Sequence, residues 1–290
     1  MSKQAALIAP SKIAIIGTGL IGGSIAASFR RVFPSTHISG FAQANDASVA
    51  LQLGLIDEAS ASVQACCADA EIVFVTCPVG AMSEVFLALA QTPDRFGVVT
   101  DCGSTKRSVI EASSLLGSAI DRFVPGHPIA GSERHGPAGA SAHLFVKRNW
   151  LLSPQSPAQE QAALRLTPTL EALGSQVKRV DAQEHDALFG EISHFPHWMV
   201  FAACLGIADG PFGEAALTQS GAGLKDTTRI GASSASLWAD IFVDNRDQLA
   251  LSLDRFEAAL KQMRGLLETG DRVALGALLE RASSWRKMVT

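Results

Sequence analysis

Residues Lys12 to Ser24 read KIAIIGTGLIGGS, a short apolar run that breaks into glycines at Gly17, Gly19 and Gly22 and then continues as a helix-like stretch. The spacing G-x-G-x-x-G is weak on its own. Between a strand and a helix it has a mechanism: the first glycine makes the tight turn, the second lets backbone approach a pyrophosphate, and the third lets helix pack on strand. The backbone N–H groups of Gly19, Leu20, Ile21 and Gly22 at that helix start have no partner one turn earlier, and the helix dipole favours an anion there. The stretch predicts a dinucleotide-binding unit; the plainer alternative is three glycines in a tight turn.

The pattern repeats outward. KIAIIG, HISGF, EIVFVTCP, GVVTDC, RFVPG, NWLLSP and QVKRV read as buried strands, separated by helix-like segments such as residues 22–32 and 158–173. Such alternation implies right-handed crossovers and one mostly parallel sheet covered on both faces, an α/β Rossmann-type domain over residues 1–181. After Asp181 strand-like runs vanish and apolar residues recur at helical spacing, as in LALSLDRFEAALKQMRGLLETGDRVALGALLERASSW. Residues 182–290 are expected to form an all-helical domain, entered directly from a strand without a flexible tether.

Composition narrows the partners. The chain of 290 residues carries 24 basic and 28 acidic side chains, a formal net charge of -4, with no long basic run. That argues against a nucleic-acid or anionic-membrane partner and for a small molecule. Cys66, Cys67, Cys77, Cys102 and Cys204 form no CxxC pair, which fits neither a disulfide framework nor a zinc site and suits a reducing, cytoplasmic setting. The N-terminus has too short an apolar run for a signal peptide, and the longest later run, residues 198–208, falls short of the roughly 20 residues that span a bilayer.

After the second strand the chain reads GFAQAND, so Ala42 and Gln43 stand where NAD enzymes place the carboxylate that binds the ribose 2′-hydroxyl, and Asp46 comes late. Without that carboxylate a 2′-phosphate is not repelled, which tilts the expectation towards NADP with NAD open, although no arginine follows to hold the phosphate. VTCPVGAM places Cys77 and Pro78 at the carboxyl edge of the sheet, where they shape the nicotinamide end. Cys77 has no cation nearby to make it a nucleophile.

Three further stretches carry chemistry. DCGSTK ends a strand with Ser104, and PGHPIAGSE, too rich in glycine and proline for a helix or a central strand, presents His127 and Glu133 on a loop. Both open to the same carboxyl edge, where ligands bind in α/β folds. EISHFPHWM sets His194 and His197 three apart; the spacing could hold a metal, but no companion acid stands at ligand distance and no metal is expected. Arg229, in a small-residue and apolar stretch that reads as buried, suits a carboxylate clamp, and an ion pair with Asp226 is the equal alternative.

GTGLIGGS, DCGSTK, GHPIAGSE, HDALFGEISHFPH and LKDTTRI followed by LWADIF, in that order from Lys12 to Phe242, resemble the motif series of the prephenate/arogenate (cyclohexadienyl) dehydrogenases of tyrosine biosynthesis. The resemblance implies a Rossmann-type domain, a helical domain that forms a homodimer, and an active site between them. It implies NAD(P)-dependent oxidative decarboxylation of prephenate to 4-hydroxyphenylpyruvate, or of arogenate to tyrosine. By motif, His127 is the catalytic histidine that bonds the substrate 4-hydroxyl, and Ser104 supports that contact. Arg229 binds a substrate carboxylate, His197 lies near the side chain, and Glu133 and Trp238 match pocket positions. His197 with Arg229 favours the pyruvyl side chain of prephenate. The expectation is also of an enzyme with no fused chorismate mutase and no appended regulatory domain, in which any feedback by tyrosine acts at the active site. Two other readings compete: another two-domain hydroxy-acid dehydrogenase or imine reductase, which would not require GHPIAGSE, and a non-catalytic dinucleotide-sensing module, which would have no use for His127, Ser104 and Arg229 together.

Overall fold

KIAII forms strand β1 (Lys12–Ile16), and its side chains divide between two cores: Ile13 and Ile15 face one side, Ala14 and Ile16 the other, none more than 2% exposed. A strand covered on both faces needs this continuous apolar run. The computed structural model describes residues 9–43, 45–132 and 134–289.

From β1 the chain passes through helix α1 (Leu20–Val32), β2 (His37–Phe41), α2 (Asp46–Gln52), β3 (Glu58–Ala59), α3 (Val63–Cys67), β4 (Ala70–Val75), α4 (Met82–Ala90), β5 (Phe96–Asp101), α5 (Arg107–Ser113) and β6 (Phe123–Val124). The strands pair in parallel in the order β3-β2-β1-β4-β5-β6. The chain reverses direction across the sheet between β1 and β4, the position where doubly wound sheets open a crevice at their carboxyl ends. On one face Phe29 of α1 packs edge-on against Phe74 of β4, 5.9 Å between ring centroids.

The remaining strands do not extend this sheet, contrary to the expectation of a single one. β7 (Gly126–Pro128), β8 (Asn149–Leu152) and β9 (Gln176–Arg179), with α6 (Pro157–Ala172) between the last two, form a separate three-stranded sheet in which β7 is antiparallel to β8. Pro125 makes the break, because it has no N–H to continue the ladder beyond Val124. Its carbonyl instead accepts the N–H of Ser153 at 2.9 Å, turning the chain onto β8. His127 therefore sits on a short edge strand and not on a loop, in register with Leu151. The glycine before it is required: a Cβ on Gly126 would lie 2.7 Å from the Asp101 carbonyl oxygen and from Thr100 Oγ1.

After β9, Asp181 caps α7 (Ala182–Phe189) by accepting the N–H groups of Gln183 and Glu184. A π-helical turn, Gly190–His194, leads into α8 (Phe195–Ala208), followed by α9 (Gly213–Gln219), α10 (Ala222–Thr228), α11 (Ala235–Asp244), α12 (Arg246–Thr269) and α13 (Arg272–Met288). The apolar residues of these helices are not consumed within the chain: Phe212 is 77%, Leu217 82% and Val273 86% exposed. Large apolar side chains left this exposed suit a surface that a partner covers. Among the described residues no single helix is long and apolar enough to cross a membrane.

Candidate active site

The crevice at the switch point is a cavity of about 400 Å³ whose lining includes Gly17, Gly19, Ala42, Gln43, Cys77 and Pro78. Gly17 turns the chain at φ 99°, and its carbonyl accepts the hydroxyl of Thr76. A Cβ on Gly22 would fall 2.0 Å from that carbonyl oxygen, so helix and turn meet only with glycine there. A Cβ on Gly19 would meet no atom within 4 Å, so its glycine answers to what must approach it and not to its neighbours. The buried hydroxyl of Thr18, between the two, has no hydrogen-bond partner among the described residues. Together these features fit a pyrophosphate. Leu20 and Ile21 open α1 and offer backbone N–H groups, while the Ile21 side chain packs on the core. Asp46 and Glu84 also line the cleft, and no lysine or arginine does among the described residues. Burial, with Asp101 adding to it, pushes the Cys77 thiol up to about 12, so it stays protonated.

Next to the cleft the end of β5 is buckled to β7. Lys106, fully buried, bonds the Asp101 carboxylate and donates to the Gly126 carbonyl at 2.6 Å. Asp101 in turn accepts the N–H of Gly126 at 2.8 Å and of Gly103 at 2.7 Å. This ion pair brings the turn carrying Ser104 against the strand carrying His127. Both remain partly accessible. Burial holds the His127 imidazole well below the ordinary histidine value, and His185, Lys106 and His194 add to the effect.

Sequence reading missed the residues behind His127. His127 Nδ1 lies 2.8 Å from His185 Nε2, and His185 Nδ1 lies 2.8 Å from Asp186 Oδ1. The HDALFG segment signals them only as a polar pair at the head of a helix. Asp186 also accepts the N–H of Lys106 at 2.8 Å and the N–H and Nε–H of Arg107, both at 3.0 Å. Arg107 reaches on to Asp247 at 2.7 Å and to Asn245 at 2.8 Å, tying the start of α5 to the start of α12. Asn245 donates to the Asp186 carbonyl at 2.8 Å and to His194 Nδ1 at 3.0 Å.

His194 is only 1% exposed, and burial drives its imidazole from 6.5 to about 4. It is neutral in the folded chain but charges in the unfolded one below about pH 6.5, so its contribution is complete above that pH and is lost as pH falls towards 4. Stability should drop by about 2 kcal/mol between pH 7 and pH 5 from this group. Urea unfolding at the two values checks it, and equal stabilities would contradict it.

His197 separates from His194 although they are three residues apart. Its Nδ1 donates to the Ser193 carbonyl at 2.9 Å, and its ring stacks on Trp238 with centroids 3.6 Å apart and planes at 20°. Trp238 is buried on α11. Burial lowers the His197 pKa, and the nearby Arg229 charge lowers it further. Arg229 itself is exposed and, among the described residues, makes no ion pair with Asp226 or any other acid, which corrects both the buried reading and the paired one. Glu133 lies outside the described residues.

Comparison with known proteins places two family models on the chain: the nucleotide-binding domain of prephenate dehydrogenase over residues 25–179 and the dimerization domain of prephenate dehydrogenase over residues 181–281. A prephenate dehydrogenase of Bacillus subtilis is 30% identical, over 94% of this chain and 75% of that one. A cyclohexadienyl dehydrogenase of Zymomonas mobilis is 32% identical over 89% of each. The crystal structure of prephenate dehydrogenase from A. aeolicus in complex with hydroxyphenyl propionate and NAD+ superimposes with a TM-score of 0.87 at 28% identity, covering 99% of this chain and 100% of that one.

Proposed function

This chain belongs to the prephenate dehydrogenase family, NAD(P)-dependent oxidoreductases of tyrosine biosynthesis, and from that premise we propose how its own residues carry out the oxidative decarboxylation of a cyclohexadienyl substrate. The principal substrate is prephenate, converted to 4-hydroxyphenylpyruvate, with arogenate a lesser one. His127 accepts the proton of the 4-hydroxyl as the ring carbon beneath it is oxidised, and Ser104 steadies that hydroxyl. A neutral imidazole within hydrogen-bond reach is the form that performs this step. Gly17, Gly19 and the edge at Cys77 and Pro78 would hold the dinucleotide, which when bound would supply the hydride acceptor. Loss of the ring carboxylate as CO2 then makes the ring aromatic. Arg229 holds a substrate carboxylate, and the His197–Trp238 stack forms the wall beside it. Among the described residues the charge acting on His197 is that of Arg229, which suits a keto-acid side chain better than an ammonium.

The unit over residues 1–181 binds nucleotide and that over 182–290 makes the homodimer, which would cover the exposed apolar face of the helices. The five cysteines are all free, in keeping with a cytoplasmic enzyme. For the cofactor, Ala42 alone tilts towards NADP, but a cleft lined by Asp46 and Glu84 with no basic side chain among the described residues disfavours a 2′-phosphate, and NAD is the proposed oxidant.

The observation that carries the reading is the His127 imidazole on β7, its Nδ1 2.8 Å from His185 Nε2, which Asp101 and Lys106 join to the end of β5 beside β4, the strand that runs into Thr76 and Cys77 of the cleft. Absorbance at 340 nm with prephenate and arogenate, each crossed with NAD and NADP, tests it. The highest kcat/KM is expected for prephenate with NAD, by about tenfold or more over NADP if the repulsion is worth about 1.4 kcal/mol. No reduction in any combination would overturn the function; a preference for NADP would overturn only the cofactor assignment.

A further inference from the structure

A histidine can serve as a base through Nε2 only if its proton sits on Nδ1, and free imidazole has no fixed choice between the two. The hydrogen bonds behind His127 make that choice. Asp186 is the fixed end: its side chain is 2% exposed, and its carboxylate accepts two backbone N–H groups and the Arg107 guanidinium. Burial raises its pKa, but the His185 hydrogen bond and the N–H groups of Arg107 and Lys106 outweigh it and keep the group ionised. A carboxylate only accepts, so His185 must donate to it from Nδ1. Burial keeps His185 neutral, and its Nε2 is then a bare lone pair. The only hydrogen that can fill the 2.8 Å gap to His127 is on His127 Nδ1. His127 Nε2 is left bare, with no partner among the described residues.

We propose that His185 is a positioning residue which, anchored by Asp186, sets the tautomer and ring orientation of His127 so that Nε2 is presented to the substrate hydroxyl. The proposal rests on His127 being the base. No proton needs to travel along the chain: the 4-hydroxyl proton ends on His127 Nε2, and the imidazolium so formed is stabilised through the same hydrogen bonds by the Asp186 charge. The two α7 residues are also held by the start of α5 through Asp186, so the tautomer is written by contacts between the two halves of the molecule. Phe189 closes the arrangement from the side, its ring centroid 4.5 Å from that of His185 and 5.1 Å from that of His127.

The direct test is the ¹⁵N spectrum of histidine-labelled wild-type enzyme at about pH 8, above the ordinary histidine range, where protonated and bare ring nitrogens have distinct shifts. His127 should show the proton on Nδ1 and a bare Nε2. A proton on Nε2 overturns the proposal whatever the activity. The kinetic test compares two variants. His185→Leu, which offers no acceptor, should lower kcat by roughly 10- to 100-fold with KM changed less than about threefold, the usual scale for loss of an orienting partner. His185→Gln, whose carbonyl can accept the His127 proton and whose amide can donate to Asp186, should recover most of that loss. Wild-type kcat in His185→Leu, or equal loss in both variants, overturns the positioning role. If neither substrate is turned over by the wild-type chain, the functional reading fails, while the spectrum still reports the tautomer.

Discussion

His127→Asn is expected to lower kcat by roughly 10²- to 10⁴-fold, the span attributed to a well-placed general base, with KM little changed. Asparagine keeps a hydrogen-bonding side chain of similar reach, so the 4-hydroxyl can still be held, but it has no lone pair of imidazole basicity to take the proton. The wild-type pH profile should carry the same signature. With the neutral ring of His127 as the proposed base, kcat/KM should be constant at high pH and fall as pH drops through the His127 pKa. Burial, reinforced by His185, Lys106 and His194, sets that pKa well below 6.5, so the inflection should lie on the acid side of the ordinary histidine value. In His127→Asn the inflection should vanish. Steady-state kinetics between about pH 5 and pH 8 decide it. Turnover near wild type in the variant would place the base elsewhere, and a wild-type inflection above 7 would contradict the burial argument.

Lys106→Met should destabilise the protein by about 3 to 5 kcal/mol, because it strips the counter-charge from a carboxylate with no access to water. Asp101 and Lys106 are both 0% exposed. Methionine fills much of the lysine volume, so the loss is electrostatic and not a cavity. On a chain of this size the melting temperature should fall by roughly 6 to 20 °C in calorimetry. The double variant Asp101→Asn with Lys106→Met should regain part of the loss, since it removes the stranded charge and leaves an acceptor for the Gly126 N–H. A single variant that melts with the wild type would show that the buckle contributes nothing. Because the same pair holds the Ser104 turn against the His127 strand, kcat should fall in any folded Lys106→Met enzyme as well.

Much of this could be read from the residues in order. KIAIIGTGLIGGS decided the first domain because its requirements are local: a two-faced apolar strand, a turn with positive φ at Gly17, and a helix whose third glycine must clear the Gly17 carbonyl. The helical half followed from spacing alone, and the expectations for His127, Ser104 and Arg229 came from their motifs. Other features needed the folded chain. The separate sheet depended on which strand Pro125 hands its carbonyl to. The exposure of Arg229 depended on how the helices after α9 pack, which its small and apolar sequence neighbours do not specify. The link from His127 through His185 to Asp186 joins residues 58 apart in sequence and then adjacent ones. Sequence by itself determined the fold class and the glycine turn that opens the cleft, and it singled out His127 as the candidate base, since turns, periodicity and chemistry are properties of neighbouring residues. Tertiary structure alone supplied the contacts behind His127, the His185–Asp186 hydrogen bonds and the burial that lowers its pKa, since these exist only once α7 lies against the end of the sheet.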